Sequence, residues 1–324
     1  MHWAAMKEAG FAGGIRFLFW IYRRGGMWPF RVLLFLVMPW YFLTNALARR
    51  ASLEYLARLY ETSGGATPAP GWRNSFRHFM SFGENILDKL VAADTLGARQ
   101  PYHVNGIEHL DRLLDAGRGG IIITAHFGNL ELCRRLSRKV HAAARLTVLV
   151  HTHHAERFNR VLKSLDPEQD VDLVQVDSIS AATAMLLSER IAAGGLVIIT
   201  GDRIPIAPGG GSATLTASFL GKEAHFPSGP YILAAVLACP VYMLFSSSAG
   251  NAFFVTVRPL AERIVLPRRE RAAAIRPYLE TYVAALTREC LEHPLQWFNF
   301  FPFWQAPRHH QEPVKDEKPT KSLA

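Results

Sequence analysis

The chain has little charge, little cysteine and no unbroken apolar run of membrane-spanning length. Only 19% of its 324 residues are Asp, Glu, Lys or Arg, while 49% are hydrophobic. Such a composition excludes a disordered chain and calls for one large core or two small ones. Three cysteines, Cys133, Cys239 and Cys290, stand far apart in apolar or helix-like surroundings. They suit neither a disulfide framework nor a zinc ligand set, so a reducing compartment is expected. The N-terminus does not read as a secretory signal, because Glu8 and several glycines interrupt the first apolar stretch and no small-residue cleavage site follows it. No Gly-Xaa-Ser-Xaa-Gly occurs, which argues against a serine hydrolase of the nucleophile-elbow type. Pro208-Gly-Gly-Gly-Ser212 is followed by no Gly-Lys-Ser/Thr, so it reads as a flexible active-site or surface loop rather than a phosphate-binding loop. His151-Thr-His-His154 invites a metal reading, but neither HExxH nor a cysteine cluster accompanies it. These are read as loop histidines, with His151 lining a substrate pocket; no metal and no cofactor are expected.

What the chain does have is positive charge in one place. The formal net charge is +9. Residues 1–60 carry eight basic side chains (Lys7, Arg16, Arg23, Arg24, Arg31, Arg49, Arg50, Arg58) against Glu8 and Glu54, which is +6 of that total. The same segment holds the apolar stretches Phe17–Tyr22 and Val32–Leu43. Extended to Leu47, the second is 16 residues long and is interrupted by Pro39, Thr44 and Asn45, whereas a spanning helix needs about 20. Arginines flank it on both sides and Trp20, Trp28, Trp40 and Tyr41 suit the headgroup level, so a segment dipping into one leaflet is the preferred reading. A true span and an ordinary core helix are the alternatives. Anionic membrane phospholipids are therefore the expected partner. Nucleic acid is disfavoured, because the basic excess coincides with the most apolar part of the chain and no recognition motif appears.

Ser63-Gly-Gly-Ala-Thr-Pro-Ala-Pro70 reads as a linker, and a helical pattern runs from Trp72 to about Val91. From about residue 101, β-type runs (Ile121–Thr124, Leu146–Val150, Val171–Val176, Leu196–Thr200, Val241–Phe245, Phe253–Val257) alternate with helical stretches (Leu130–Val140, Phe158–Leu165, Ala181–Ile191, Tyr231–Ala238). The alternation predicts an α/β fold, a mainly parallel mixed sheet flanked by helices, with ligands at the carboxyl ends of the strands. A long helix is expected from Arg268 to about Glu292. The expected organisation is a membrane-associating helical region at 1–62, a core at 71–305 and a disordered polar tail at 306–324.

Chemistry concentrates at Gly120-Ile-Ile-Ile-Thr-Ala-His126-Phe-Gly-Asn-Leu-Glu131. An apolar strand ends near His126, Gly128 permits a turn, and Asn129 is a good N-cap for a following helix. On one continuous helix, five residues turn about 140° and point two side chains apart. The turn removes that objection and lets Glu131, favoured in a first helical turn, fold back toward the imidazole. No protein nucleophile stands nearby in sequence, so the pair suits deprotonation of an incoming hydroxyl or amine. A histidine at a strand end is, by itself, as compatible with a structural role.

His126-Phe-Gly-Asn-Leu-Glu131 resembles the histidine-four-residues-acid motif of the lysophospholipid acyltransferase superfamily, in the form used by the bacterial lipid A late acyltransferases. The approach Val104–Leu110, a short helical stretch and Gly117-Arg-Gly-Gly120 is similar to that family's. So is Phe219-Leu-Gly-Lys-Glu-Ala-His-Phe-Pro-Ser-Gly-Pro230, and the ending Gln296–Trp304 resembles the aromatic close of a bacterial branch of it. The likeness spans roughly residues 1–305. Leu130, where the lipid A enzymes commonly have Trp, and the Gly-Asp-Arg block at 201–203 depart from the pattern; they bear on the acceptor more than on the reaction.

The resemblance implies transfer of a fatty acyl chain from acyl carrier protein or coenzyme A to a lipid-borne hydroxyl or amine at the cytoplasmic face of the inner membrane. It makes His126 the general base and Glu131 its partner, with Gly128 and Asn129 shaping the acceptor site. Asp202 and Arg203 take the place of the family's second polar block, where Arg203 is suited to a phosphate or the thioester oxyanion. For those two residues a structural ion pair is the competing reading. For the whole chain the alternative is a non-catalytic lipid-binding membrane protein with this fold.

Overall fold

The computed structural model describes residues 24–25, 27–92, 102–129, 145–150, 171–175, 180–204, 214–249 and 252–305. Three helices come first: α1 (Met27–Thr44), α2 (Ala46–Thr62) and α3 (Trp72–Ala92). β1 (Tyr102–Asn105), α4 (Ile107–Asp115), β2 (Gly120–Thr124), β3 (Leu146–Val150), β4 (Val171–Gln175), α5 (Ala181–Ala192) and β5 (Leu196–Thr200) follow. The chain continues with β6 (Thr214–Phe219), β7 (Lys222–Pro227), α6 (Gly229–Leu237), β8 (Val241–Ala249), β9 (Ala252–Ala261) and α7 (Arg271–Glu292). The helical stretches expected at 130–140 and 158–165 lie outside the described residues, as does the tail.

Seven strands form one sheet in the order β1-β9-β8-β2-β5-β3-β4. β8, β2, β5, β3 and β4 are mutually parallel, while β9 runs antiparallel to β8 and carries β1 parallel to itself at the edge. The expected α/β architecture with a mainly parallel mixed sheet is therefore present. β2 shows why it is two-sided. Ile121 and Ile123 point into the larger core with Tyr55, Leu56 and Leu59 of α2 and Leu279, Tyr282 and Leu286 of α7. Ile122 points the other way, onto Leu110 and Leu113 of α4. A strand apolar on both faces belongs in the interior of a parallel sheet, and each such side chain contributes roughly 1.5–3 kcal/mol by leaving water.

Three features depart from the pattern read in the sequence. β1 falls in a stretch given no strand. β8 and β9 run longer than expected because polar Ser246, Ser247 and Ser248 pair across to Phe253–Val255. β6 and β7 form a separate antiparallel hairpin, turned by Leu220 (φ 49°) and Gly221 (φ 76°). Two positive φ angles are what a twisted two-residue hairpin needs. Leucine is unusual in that conformation, and its burial at 3% exposure offsets the strain.

The N-terminal helices divide sharply. α1 is apolar on both sides: Leu34, Met38 and Phe42, four residues apart, pack with Phe76, Phe79, Met80 and Phe82 of α3 and with Phe298 and Phe300, and Phe30 is buried as well. Trp28, Val32, Phe35, Leu36, Trp40 and Leu43 are exposed, five of them at 60% or more. The chain then bends by 93° at Asn45. The Asn45 side chain accepts from the Ala48 amide at 3.1 Å and caps α2, while the Arg49 guanidinium donates to the Phe42 and Leu43 carbonyls at the end of α1. No single helix among the described residues is long and apolar enough to cross a membrane; α1 and α2 pass that test only as a bent pair.

Candidate active site

The site is set by register. β2 and β5 are neighbours and parallel, with Thr124 beside Thr200. His126 and Asp202 each lie two residues beyond that last pair, so the sheet delivers both to the same place. The Gly201 amide donates to the Thr124 carbonyl at 2.8 Å, which also accepts from the Tyr282 hydroxyl at 3.0 Å. The Thr124 hydroxyl donates across to the Leu244 carbonyl at 2.7 Å. The strand ends are therefore tied to β8 and α7 before the reactive groups begin.

Asp202 meets His126 twice. Its Oδ1 lies 2.8 Å from His126 Nδ1, and its Oδ2 accepts the His126 backbone amide at 2.8 Å. Trp297 Nε1 donates to the same Oδ2 at 3.1 Å. The carboxyl is 2% exposed, whereas the imidazole is about one-third exposed (32%). Burial alone would raise the Asp202 pKa. The charge and hydrogen bonds of His126, followed by the charge of Arg203, outweigh it and hold the carboxyl below its ordinary value. An ionised carboxylate only accepts, so Nδ1 carries a ring proton, and in the neutral form of the ring the lone pair is on Nε2.

A second layer locks this geometry. Phe127 bridges Trp297 in antiparallel fashion. The Phe298 amide donates to the His126 carbonyl and the Gly128 amide to the Gln296 carbonyl, each at 2.8 Å. Gly128 has φ 55°, and a Cβ there would lie 1.7 Å from the Ser246 carbonyl oxygen, so the position admits only glycine. Trp297 is wholly buried among Tyr55, Phe219, Phe303 and Trp304.

The residues singled out in the sequence fare differently. His126, Gly128, Asn129, Asp202 and Arg203 lie close together at the ends of β2 and β5, with Asn129 buried at 2%. Arg203 donates to the Phe298 carbonyl at 3.3 Å and lies over the Phe301 ring at 5.7 Å. Glu131 and His151 lie outside the described residues. Of the cysteines, Cys239 and Cys290 are described and both are buried. Desolvation pushes the Cys239 thiol up to about 11 and raises that of Cys290 as well, so neither suits a nucleophile.

A histidine whose Nδ1 meets a buried carboxylate at the carboxyl end of a parallel sheet has a geometry suited to accepting a proton. The family model for "Bacterial lipid A biosynthesis acyltransferase" matches residues 77–305, which includes the whole of this site. The chain belongs to that family. No curated protein matches it closely enough to count as a relative. Membership implies an acyltransferase with an acyl donor and a lipid acceptor, in the biosynthesis of lipid A.

In this lipid A acyltransferase family member, two contacts of the candidate site go beyond what the sequence pattern shows. Asp202 appeared as a binding residue or a partner of Arg203, yet its direct contact is His126 Nδ1. Trp297 appeared only as part of the aromatic close. A signal for the first was present: Leu196–Thr200 and Ile121–Thr124 are both core strands, each followed two residues later by a polar group. Their adjacency in the sheet was the missing fact.

Proposed function

We propose that the protein moves a fatty acyl chain from the thioester of acyl carrier protein or coenzyme A to a hydroxyl or amine of a lipid acceptor, with His126 as general base. Nε2 takes the proton of the acceptor as its oxygen or nitrogen attacks the thioester carbonyl carbon. The tetrahedral adduct collapses, the C–S bond breaks, and the imidazolium returns the proton to the departing thiolate. The products are an acylated lipid and a free thiol. Asp202 keeps the proton on Nδ1 and stabilises the imidazolium; such assistance is worth about 10²–10⁴ in rate. Glu131, the acid of the histidine-four-residues-acid motif, is the second carboxylate proposed to partner His126 and stabilise the imidazolium. Gly128 and Asn129 border the acceptor, His151 lines its pocket, and Arg203 supplies positive charge for a phosphate or the thioester oxyanion.

The observation that carries this reading is the 2.8 Å contact between His126 Nδ1 and a carboxylate that is itself almost wholly buried. The membrane part rests on α1, whose outward face of Trp28, Phe35, Leu36, Trp40 and Leu43 stands beside exposed Arg24, Arg31 and Arg50. Apolar side chains with flanking cations fit an anionic leaflet, in the plane of the headgroups. A span through both α1 and α2 is disfavoured, since Tyr55, Leu56 and Leu59 of α2 are at 0% exposure within the protein core. The protein would then work at the cytoplasmic face of the inner membrane.

The test is transfer from labelled acyl carrier protein or acyl-coenzyme A into a membrane lipid extract, comparing wild type with His126→Ala. Label in lipid from the wild type and a loss of at least about a hundredfold in the variant is expected. Equal product from both sinks the mechanism, and no product with either donor favours a lipid-binding protein.

A further inference from the structure

Behind the His126–Asp202 pair runs a buried polar chain that the reaction as written leaves unused. His78 of α3 is fully buried, with Nδ1 3.0 Å from the Ser52 hydroxyl of α2 and Nε2 2.9 Å from the Trp297 carbonyl. A carbonyl only accepts, so Nε2 carries the proton and Nδ1 accepts from Ser52. The Ser52 oxygen in turn accepts from the Ser75 hydroxyl at 2.9 Å. Every orientation in the chain thus follows from the single carbonyl at its end. Burial pushes the His78 pKa down to about 4, against the opposing pull of that carbonyl, so the ring is neutral at ordinary pH.

The placement makes the chain more than a local contact. His78 lies among Tyr55, Phe298 and Phe300 at ring distances of 5.4, 6.3 and 4.7 Å, where an apolar side chain would avoid the cost of burying two ring nitrogens. Instead it fixes the carbonyl of the one residue whose indole holds Asp202 Oδ2. The amide and carbonyl on either side of Trp297, at Phe298 and Gln296, hold His126 and Gly128. A fully satisfied buried network of this kind specifies a single geometry.

We propose that Trp297 and His78 are positioning residues of the acyl transfer: the Trp297 indole holds the second oxygen of Asp202, and His78, fixed by Ser52 and Ser75, holds the Trp297 carbonyl, so that the N-terminal helices set the aim of the catalytic imidazole. This rests on the reading of His126 as general base. Among the described residues the charges that act on Asp202 are those of His126 and Arg203, while the carboxylate itself helps to raise the Tyr282 hydroxyl and the Cys290 thiol. Trp297 contributes a neutral donor. Losing it leaves the carboxylate more basic and more mobile, which raises the imidazolium pKa and loosens its aim.

The experiment uses the full chain in three variants. Trp297→Phe keeps a ring in the aromatic cluster and removes the donor. His78→Leu removes the clamp, and His78→Gln retains an N–H donor for the Trp297 carbonyl. Acyl transfer is followed as kcat, KM and the acid limb of the pH profile, and the His126 ring is titrated separately by nitrogen-15 NMR. Trp297→Phe and His78→Leu are expected to lower kcat about tenfold with KM changed less than twofold, the loss expected of a hydrogen bond to a charged group. Trp297→Phe is expected to move both the acid limb and the His126 titration upward by about half a pH unit. His78→Gln is expected to restore most of kcat. Should His78→Leu fail to fold, Trp297→Phe and His78→Gln still decide the matter.

A folded Trp297→Phe with wild-type kcat and an unmoved His126 titration overturns the proposal. So does a rise in KM at constant kcat. If His126→Ala keeps its activity while Trp297→Phe still shifts the His126 titration, the coupling stands and the general-base reading fails. The two failures are therefore distinguishable.

Discussion

Two regions of this protein break the ordinary partition of side chains, and they break it in opposite directions. At the ends of β2 and β5 a carboxylate is buried at 2% exposure; on α1 a row of large apolar side chains faces outward, with Trp28 at 76%. Exposed single leucines and buried hydrophobics carry no information, whereas a buried charge and a continuous exposed apolar face both do. Asp202 is tolerated inside because three donors meet it: the His126 amide, the His126 ring and the Trp297 indole. Among the described residues the α1 face stays open apart from an edge contact of Phe35 with Phe76, although the opposite side of the same helix is packed against α3. The first exception is satisfied internally and reads as catalysis; the second is unsatisfied and reads as attachment.

Asp202→Asn is the strongest way to break the first half of that contrast. An amide can occupy the site but cannot stabilise an imidazolium, so kcat is expected to fall by about 10²–10⁴ while far-ultraviolet circular dichroism stays that of the wild type. An activity within twofold of wild type would remove Asp202 from the mechanism. Breaking the second half takes Phe35→Glu, Leu36→Glu and Trp40→Glu together. Binding to anionic phospholipid vesicles in a flotation assay is expected to drop by about a hundredfold, with thermal stability nearly unchanged because the side chains leave no core. Unchanged binding would show that α1 is not the attachment face.

A smaller effect separates the buried histidine from the exposed helix. His78 has its folded pKa depressed to about 4 from an ordinary 6.5. The unfolded chain therefore binds the proton first as pH falls. Stability tied to His78 is intact above about pH 6.5 and is lost toward pH 4, a span worth about 3 kcal/mol. Urea unfolding of wild type and His78→Gln across that window checks it, the variant lacking this part of the pH dependence. Smallest is Tyr55→Phe, which removes the 2.9 Å bond to the Pro294 carbonyl and is expected to cost about 1 kcal/mol in the same assay.

How far the sequence carried the structure depended on whether an element was local. β2, β3 and β5 were legible because each is a short apolar run with clear breaks, and His126 stood visibly at a strand end. Its contact with Asp202 required knowing that β5 lies beside β2 in register, 76 positions away in the chain. Trp297 required still more, since its indole reaches Asp202 from beyond the last helix. The hairpin at 214–227 was hidden because Leu220 takes a positive φ that its residue type does not advertise. The apolar stretch in α1 was legible, but its division into a packed and an exposed face needed α3, and the burial of α2 needed the whole core. Local pattern found the strand ends; only tertiary pairing showed what they hold.

The most direct measurement of the central claim is the tautomer of His126, read from its ring nitrogens by nitrogen-15 NMR of histidine-labelled protein at neutral pH. The proton is predicted on Nδ1, held by Asp202, with Nε2 as the unprotonated base, and this preference should vanish in Asp202→Asn. A proton on Nε2 in the wild type would contradict the account.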